Sequence, residues 1–319
     1  MPKAARRTVV FSEGDNERIM RAALEARDEG ICQPILLSKR GNVERMATEW
    51  KLDLNGIEII DPEGSPHFES YVQRYWKKCE RKGATLDNAR KALESRTYFG
   101  MMMVAAGHAD ALLAGVTKHY SEVIRPAIRV CKLRKGIERV AGVYMIALNH
   151  DIYFFADTTV NIDPSAEQLA EIAVMTAEVA RRFSITPRVA LLSFSNFGSA
   201  RSIQSDKVAR AVALVKARSL SFEIDGEMQV DLATMPELLQ RDFPFSDLSG
   251  KANVFIFPDL NSGNIAYKLM QRLAGADVIG PILMGLDKPI HVLQRNSSVS
   301  EIVDMAAIAT VDAEWLGRR

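Results

Sequence analysis

The amino-acid sequence predicts an α/β protein of two αβα domains, with mostly parallel sheets and a cleft between the domains. Three observations lead there. Short apolar runs alternate with stretches of helical periodicity along most of the chain, which implies crossover connections and sheets covered on both faces. The 319 residues suit one large or two medium α/β domains. The character also changes once, at Lys132-Leu133-Arg134-Lys135-Gly136, where charge and glycine cluster.

Each element follows from its local pattern. Thr8–Ser12 reads as a short buried strand. Asp15–Glu29 has helical spacing, with Ile19, Ala22, Ala23 and Ala26 on one face and Gly30 as the stop. Pro34–Ser38 is the next strand, Val43–Trp50 a short helix and Gly56–Ile60 a third strand. Two long helical regions follow, from about His67 to Lys82 and from Asp87 to Ala106. Ala109–Ala114 reads as a strand and Glu122–Cys131 as a helix.

Beyond residue 135, Val140–Leu148 and Ile152–Ala156 read as paired strands around an Asn149-His150-Asp151 turn. Ser165–Phe183 is a helix, Arg188–Phe194 a buried strand, Ser205–Arg218 a helix and Glu223–Gly226 a short strand. Ala252–Phe257 is the most apolar strand and precedes a helix over Asn264–Ala274. A last helix begins after Ser298 and packs back on the first domain. The expected domains are therefore residues 1–135 plus 296–319, and 136–295.

Composition excludes several function classes. Hydrophobic residues make up 47% and charged residues 25% of the chain, and 41 basic side chains meet 40 acidic ones. That balance argues against a nucleic-acid or membrane partner. The longest apolar runs, such as Val254-Phe255-Ile256-Phe257, are strand-length. The first residues lack a secretory apolar core. Cys32, Cys79 and Cys131 form neither a disulfide framework nor a CxxC pair, so they read as reduced thiols of a cytoplasmic protein. The five histidines lack metal-ligand spacing, so no metal site is expected.

In parallel α/β sheets ligands bind beyond the carboxyl ends of the strands. Four segments fall there. Ala114–Ser121 carries Thr117 and Lys118 and runs on to Arg125; it suits an anion or is an ordinary strand–helix turn. Ser193–Arg201 contains Ser195, Gly198, Ser199 and Arg201, donors that can turn toward phosphate or toward solvent. Pro258–Asn264 offers Asn261 and Asn264, with Asn264 a candidate helix cap. Leu293–Val303 places Gln294, Arg295 and Glu301 around a helix start. There Ser298-Val299-Ser300-Glu301 matches a capping box, so Glu301 is either a cap or a general base. Arg295 is either a phosphate ligand or solvated. No Walker A or GxGxxG pattern accompanies these loops.

Several runs resemble the phosphate acetyltransferase family. They are Gly250–Asn264, Ile124-Arg125-Pro126-Ala127, Glu167-Gln168-Leu169-Ala170, Ile224–Gln229 and Ile279-Gly280-Pro281. They follow the family's order from about residue 8 to 315. The resemblance implies the phosphotransacetylase fold, which is isocitrate-dehydrogenase-like, with coenzyme A in the cleft between its two α/β domains. It implies a reaction that moves an acetyl group between the coenzyme A thiol and phosphate, with a base for the thiol and arginines for the phosphate. Arg125 and Arg295 match family arginines, and Ser195–Arg201 matches the family's Ser/Gly-rich loop. A homodimer or higher homo-oligomer is implied as well.

The chain departs from the family pattern at several of these positions. The family serine before the arginine is Gln294, and the family aspartate taken as base is Glu301. A further family arginine falls on Cys79, or on Arg81 if a gap is allowed. Lys118 stands for a histidine and Ala114 for a serine. This pattern, with the Phe11–Arg18 opening and the ending from Ser297-Ser298-Val299 to Met305-Ala306-Ala307, is similar to the C-terminal phosphotransacetylase-like domain of bacterial hybrid NADP-dependent malic enzymes. It implies an acetyl-CoA-sensing regulatory domain with little acetyl transfer of its own. The partner is then an upstream malic-enzyme domain, an oxidoreductase using NADP and a divalent metal. The alternative is an active acyltransferase with Glu301 as base; a weaker one is an assembly module.

Overall fold

A computed structural model describes residues 6–318. The chain divides into two compact units, residues 1–135 with 286–319, and residues 136–285.

In the first unit the order is β1 (Thr8–Phe11), α1 (Glu17–Asp28), β2 (Gln33–Leu37), α2 (Arg40–Trp50), β3 (Glu58–Ile60), α3 (Phe68–Cys79), α4 (Leu86–Leu93), α5 (Arg96–Ala106), β4 (Ala111–Ala114) and α6 (Tyr120–Val130). The helix expected from Asp87 to Ala106 is thus two helices, broken at Glu94-Ser95. Ser95 takes an extended backbone there (φ −73°, ψ 119°), the geometry that starts a new helix. Asn16 caps α1 by accepting from the N–H groups of Arg18 and Ile19.

The second unit holds β5 (Ala141–Leu148), β6 (Asp151–Ala156), α7 (Ala166–Arg182), β7 (Arg188–Leu192), α8 (Ile203–Lys216), β8 (Glu223–Met228), α9 (Val230–Thr234), α10 (Pro236–Asp242), β9 (Val254–Ile256), α11 (Leu260–Leu273) and β10 (Asp277–Met284). The turn between β5 and β6 has Asn149 and His150 at positive φ, the two-residue hairpin geometry. The chain then re-enters the first unit with β11 (Ile290–Val292) and α12 (Val299–Gly317). Residue 296 was the expected point of return. The division instead falls at Gly285/Leu286, because β11 pairs in register with β4.

The first sheet has the order β11-β4-β1-β2-β3 and every pairing in it is parallel. Val9, Val10 and Phe11 at its centre are fully buried, as expected of a strand covered on both faces. The second sheet runs β10-β5-β6-β9-β7-β8. Its β6-β9-β7-β8 half is parallel, and β10-β5-β6 is antiparallel. Its core packs Ile146, Phe155, Phe255 and Phe257 around Tyr144, whose ring stacks on Tyr267 at 4.2 Å. Each sheet thus brings the carboxyl ends of neighbouring parallel strands together, which is where the candidate residues fall.

Candidate active site

In the first unit β11, β4 and β1 are adjacent and parallel, so the segments leaving their carboxyl ends meet. The segment after β4 carries Thr117 and Lys118, and that after β11 carries Gln294, Arg295 and the approach to Glu301. Their backbones touch. Leu293 donates its N–H to the Ala114 carbonyl at 2.8 Å. Gly115 has φ +132°, and a Cβ there would stand 2.5 Å from the Leu293 carbonyl, so only glycine fits. At the side-chain level Arg295 Nη1 lies 3.5 Å from His119 Nε2.

The loop bearing Arg295 is clamped from α1. Arg18 donates to the Ser297 carbonyl at 2.6 Å and to the Arg295 carbonyl at 3.0 Å. The Arg295 backbone is therefore held while its side chain stays exposed. Both helix starts beside it are capped. His119 N–H donates to Glu122 Oε2 at 2.6 Å. Ser298 N–H donates to Glu301 Oε2 at 2.8 Å, and Glu301 N–H donates to Ser298 Oγ at 3.2 Å. The capping reading of Glu301 is therefore realised in the fold. Lys118 and Arg295 bring positive charge to this edge, and the Glu122 and Glu301 carboxylates already occupy the caps of its two helix starts.

Lys118 is half-buried and its ammonium donates to Thr97 Oγ1. Burial pulls its pKa below the ordinary lysine range, Glu13 opposes that, Arg96 adds to it and Glu122 opposes it. Arg125 is exposed on α6 and Thr117 is exposed ahead of it. Cys79, half-buried, ends α3, and Arg81 is exposed in the 3-10 turn that follows.

The second unit gathers the other candidates, with two corrections. Ser195 is fully buried and donates from Oγ to Glu227 Oε1 at 2.9 Å. Gly198 N–H donates to the same oxygen at 2.7 Å. These two donors, expected to face phosphate, are instead spent on a buried carboxylate that shapes the loop. Ser199 and Arg201 remain exposed. Asn264 is no helix cap: α11 starts earlier, and Asp259 caps it by accepting from Ser262 N–H at 2.8 Å. Asn264 sits in the second turn and donates to the Thr158 carbonyl at 3.2 Å.

Asn261 lines a cavity of about 700 Å³ with Ser193, Phe194, Gln204 and Lys207. Lys207 there donates to Asp163 Oδ1 at 2.7 Å and to the Pro258 carbonyl at 3.0 Å. A smaller cavity of about 190 Å³ in the first unit contains Arg96 and Lys39. Both are paired, to Asp15 and Glu63, and none of the predicted residues lies there. Among the described residues, no group of three or more His, Cys, Asp or Glu is placed to hold a metal. Among the same residues, no helix is long and apolar enough to cross a membrane.

His119, Arg18, Glu13 and Glu227 stand within longer runs of the sequence that assign them no role of their own. The available signal for Glu13 is its place directly after a buried strand, at the carboxyl edge of a parallel sheet. Arg18 and Glu227 act on segments far away in sequence and leave no local mark.

Comparison with known proteins sharpens this. A phosphate acetyltransferase from Bacillus subtilis is 39% identical over 306 residues, 96% of this chain and 94% of its own length. A phosphotransacetylase structure from Streptococcus pyogenes superposes with a TM-score of 0.92 at 39% identity, covering 97% of this chain and 94% of that one. The EutD phosphotransacetylase from Staphylococcus aureus gives 0.91 at 36% identity, with the same coverage. The α/β fold with mostly parallel sheets in two domains is that of these structures.

These findings correct the expectation of an acetyl-CoA-sensing regulatory domain of a malic enzyme. Relatives matched over nearly all of their own length are named phosphate acetyltransferase. Agreement along nearly the whole chain outweighs the departures at Gln294, Glu301 and Lys118. The upstream malic-enzyme domain, the oxidoreductase activity, the NADP and the divalent metal belonged to that expectation and have no support. The model of the family described as phosphate acetyl/butaryl transferase matches residues 1–310, and the chain belongs to that family.

Proposed function

We propose that the chain is an active phosphate acetyltransferase, moving an acetyl group between the coenzyme A thiol and inorganic phosphate. The observation that carries this reading is the grouping of Arg295, His119 and Lys118 at one sheet edge, beside Glu301 at the start of α12. The names of the relatives matched over nearly their full length support it.

Arg295 and Arg125 hold the phosphate, for which a planar guanidinium offers a two-pronged match. Lys118 adds positive charge. A phosphate oxygen attacks the thioester carbonyl carbon, a C–O bond forms and the C–S bond breaks. Glu301 takes the proton of the attacking hydrogen phosphate and passes it to the departing thiolate, and in reverse it takes the proton from the thiol and returns it to the phosphate. The cap occupies Glu301 Oε2, which leaves Oε1 for the proton. Gln294 donates or accepts beside Arg295. Thr117, Ser199, Arg201, Asn261 and Asn264 are proposed contacts to the coenzyme or phosphate. Ser195 and Gly198 act by shaping their loop. A homodimer in the cytoplasm is part of the reading, and sedimentation of the purified chain tests its oligomeric state.

The experiment is direct. Purified chain, acetyl-CoA and phosphate are mixed, and acetyl phosphate and free thiol are measured together. Equal formation of both supports the reading, and thiol release without acetyl phosphate excludes it.

A further inference from the structure

We propose that Glu13 is a positioning residue for the phosphate side of the site: one buried carboxylate fixes the Lys118-bearing segment in place and keeps the Lys118 ammonium charged for an anion. The inference deepens the acetyl-transfer reading and rests on it for the role of phosphate.

Glu13 stands at the carboxyl end of β1, only 2% exposed, next to Ser12 at 1%. Burial of a carboxylate this deep is costly unless hydrogen bonds and charges offset it. Oε2 accepts from Ser12 Oγ at 2.6 Å, and Oε1 accepts from Gly115 N–H at 2.9 Å. Gly115 begins the segment that carries Thr117, Lys118 and His119. It also lies against the Leu293 carbonyl so closely that no side chain fits. A displacement of Gly115 therefore moves both the Lys118 side and the backbone leading to Arg295. The Lys118 ammonium donates to Thr97 Oγ1 on α5, and the charges that act on it are those of Glu13 at the end of β1, Arg96 on α5 and Glu122 on α6. Glu13 and Glu122 favour the ammonium, and burial and Arg96 disfavour it.

Arg18, on α1, performs a parallel task on the Arg295 loop, through the Ser297 and Arg295 backbone carbonyls. Glu13 is distinguished by acting on both geometry and charge. The isosteric Glu13→Gln separates the two. A Gln oxygen still accepts from Gly115 N–H, so the segment stays in place, whereas the negative charge beside Lys118 is gone. With one favourable charge removed, the Lys118 ammonium is lost at lower pH.

The test titrates the full chain with inorganic phosphate alone, by calorimetry, across pH 6 to 10, for the wild type, Glu13→Gln and Lys118→Met. The wild type is expected to lose affinity in the alkaline range as Lys118 deprotonates. In Glu13→Gln that loss moves down by roughly one pH unit, with a melting temperature close to the wild type. In Lys118→Met the alkaline loss disappears and affinity is low throughout. Glu13→Ala, which also strips the acceptor from Gly115 N–H, melts several degrees lower. A phosphate titration of Glu13→Gln that overlays the wild type at every pH overturns the inference. Acetyl transfer by the same wild-type preparation is read separately, so an inactive enzyme counts against the acetyl-transfer reading and not against this one.

Discussion

The guanidinium of Arg295 lies 3.5 Å from Nε2 of His119. One residue follows β11 and the other follows β4, so neighbouring parallel strands deliver two cation-capable side chains to one spot. The loop beneath Arg295 is pinned by Arg18, which donates to the Ser297 and Arg295 carbonyls. Arg295 is therefore a side chain with a fixed base and an exposed head. Replacing it with Ala is expected to lower kcat/KM for phosphate by about 10²–10³, with little change in melting temperature. Arg295→Lys restores charge but not the two-pronged geometry, and is expected to recover only part of the loss. Steady-state kinetics with varied phosphate checks both.

Glu301 is a cap in the fold and a base in the proposed reaction, and one substitution separates them. Gln serves the capping box as well as Glu does. Glu301→Gln is expected to melt like the wild type and to lose about 10²-fold or more in kcat. Ser298→Ala is the converse: it costs about 1 kcal/mol of stability through the lost cap and leaves most of the rate. Thermal unfolding and turnover on the same samples tell the roles apart. Full activity in Glu301→Gln leaves Glu301 a cap alone.

Ser195 and Ser199 sit four residues apart and are expected to behave oppositely. Ser195 is buried against Glu227, so Ser195→Ala leaves Glu227 Oε1 with one donor fewer and costs about 1–3 kcal/mol. Ser199 is exposed and its Oγ accepts only from Asn196 N–H among backbone donors, at 3.0 Å, so Ser199→Ala is expected to cost less stability than Ser195→Ala and to raise KM for a ligand at that loop. Urea unfolding and KM measurements decide.

The thiols predict a pH dependence. Burial pushes Cys32 and Cys131 up from 9.0 to about 12. The folded chain holds these protons where the unfolded chain has released them. Their contribution to stability is therefore complete below about pH 9 and is lost as pH rises toward 12. The urea midpoint is expected to fall as pH rises from 8 to 10. At pH 8 the native protein is expected to show one readily reactive thiol, half-buried Cys79, against three after unfolding. Removing that signal with Cys79→Ser checks the assignment.

Elements with long, clean periodicity were legible in the sequence: α1, α7 and the strands before three of the four candidate loops, β4, β7 and β9, fall within a few residues of where the pattern puts them. What was missed has physical reasons. Asp87–Ala106 reads as continuous because Glu94-Ser95 carries no glycine or proline, and the break shows only in backbone angles. In β10, Gly280-Pro281 sits at a register irregularity between Ile279 and Ile282, which hides an eight-residue strand. β11 has only three residues and needs β4 as partner. The candidate loops were readable because strand ends point to them. The burial of Ser195 was not, because its partner Glu227 lies 32 residues further on. Glu13 likewise shows no role until Gly115, 102 residues away, is seen beside it.

The central claim, that this chain turns over, is tested most directly by single-turnover acetyl transfer with the purified protein in excess over acetyl-CoA. Acetyl phosphate forming in step with free thiol, dependent on phosphate and strongly reduced in Arg295→Ala and Glu301→Gln, is the predicted result. Acetyl-CoA that stays intact in the presence of saturating phosphate would contradict it.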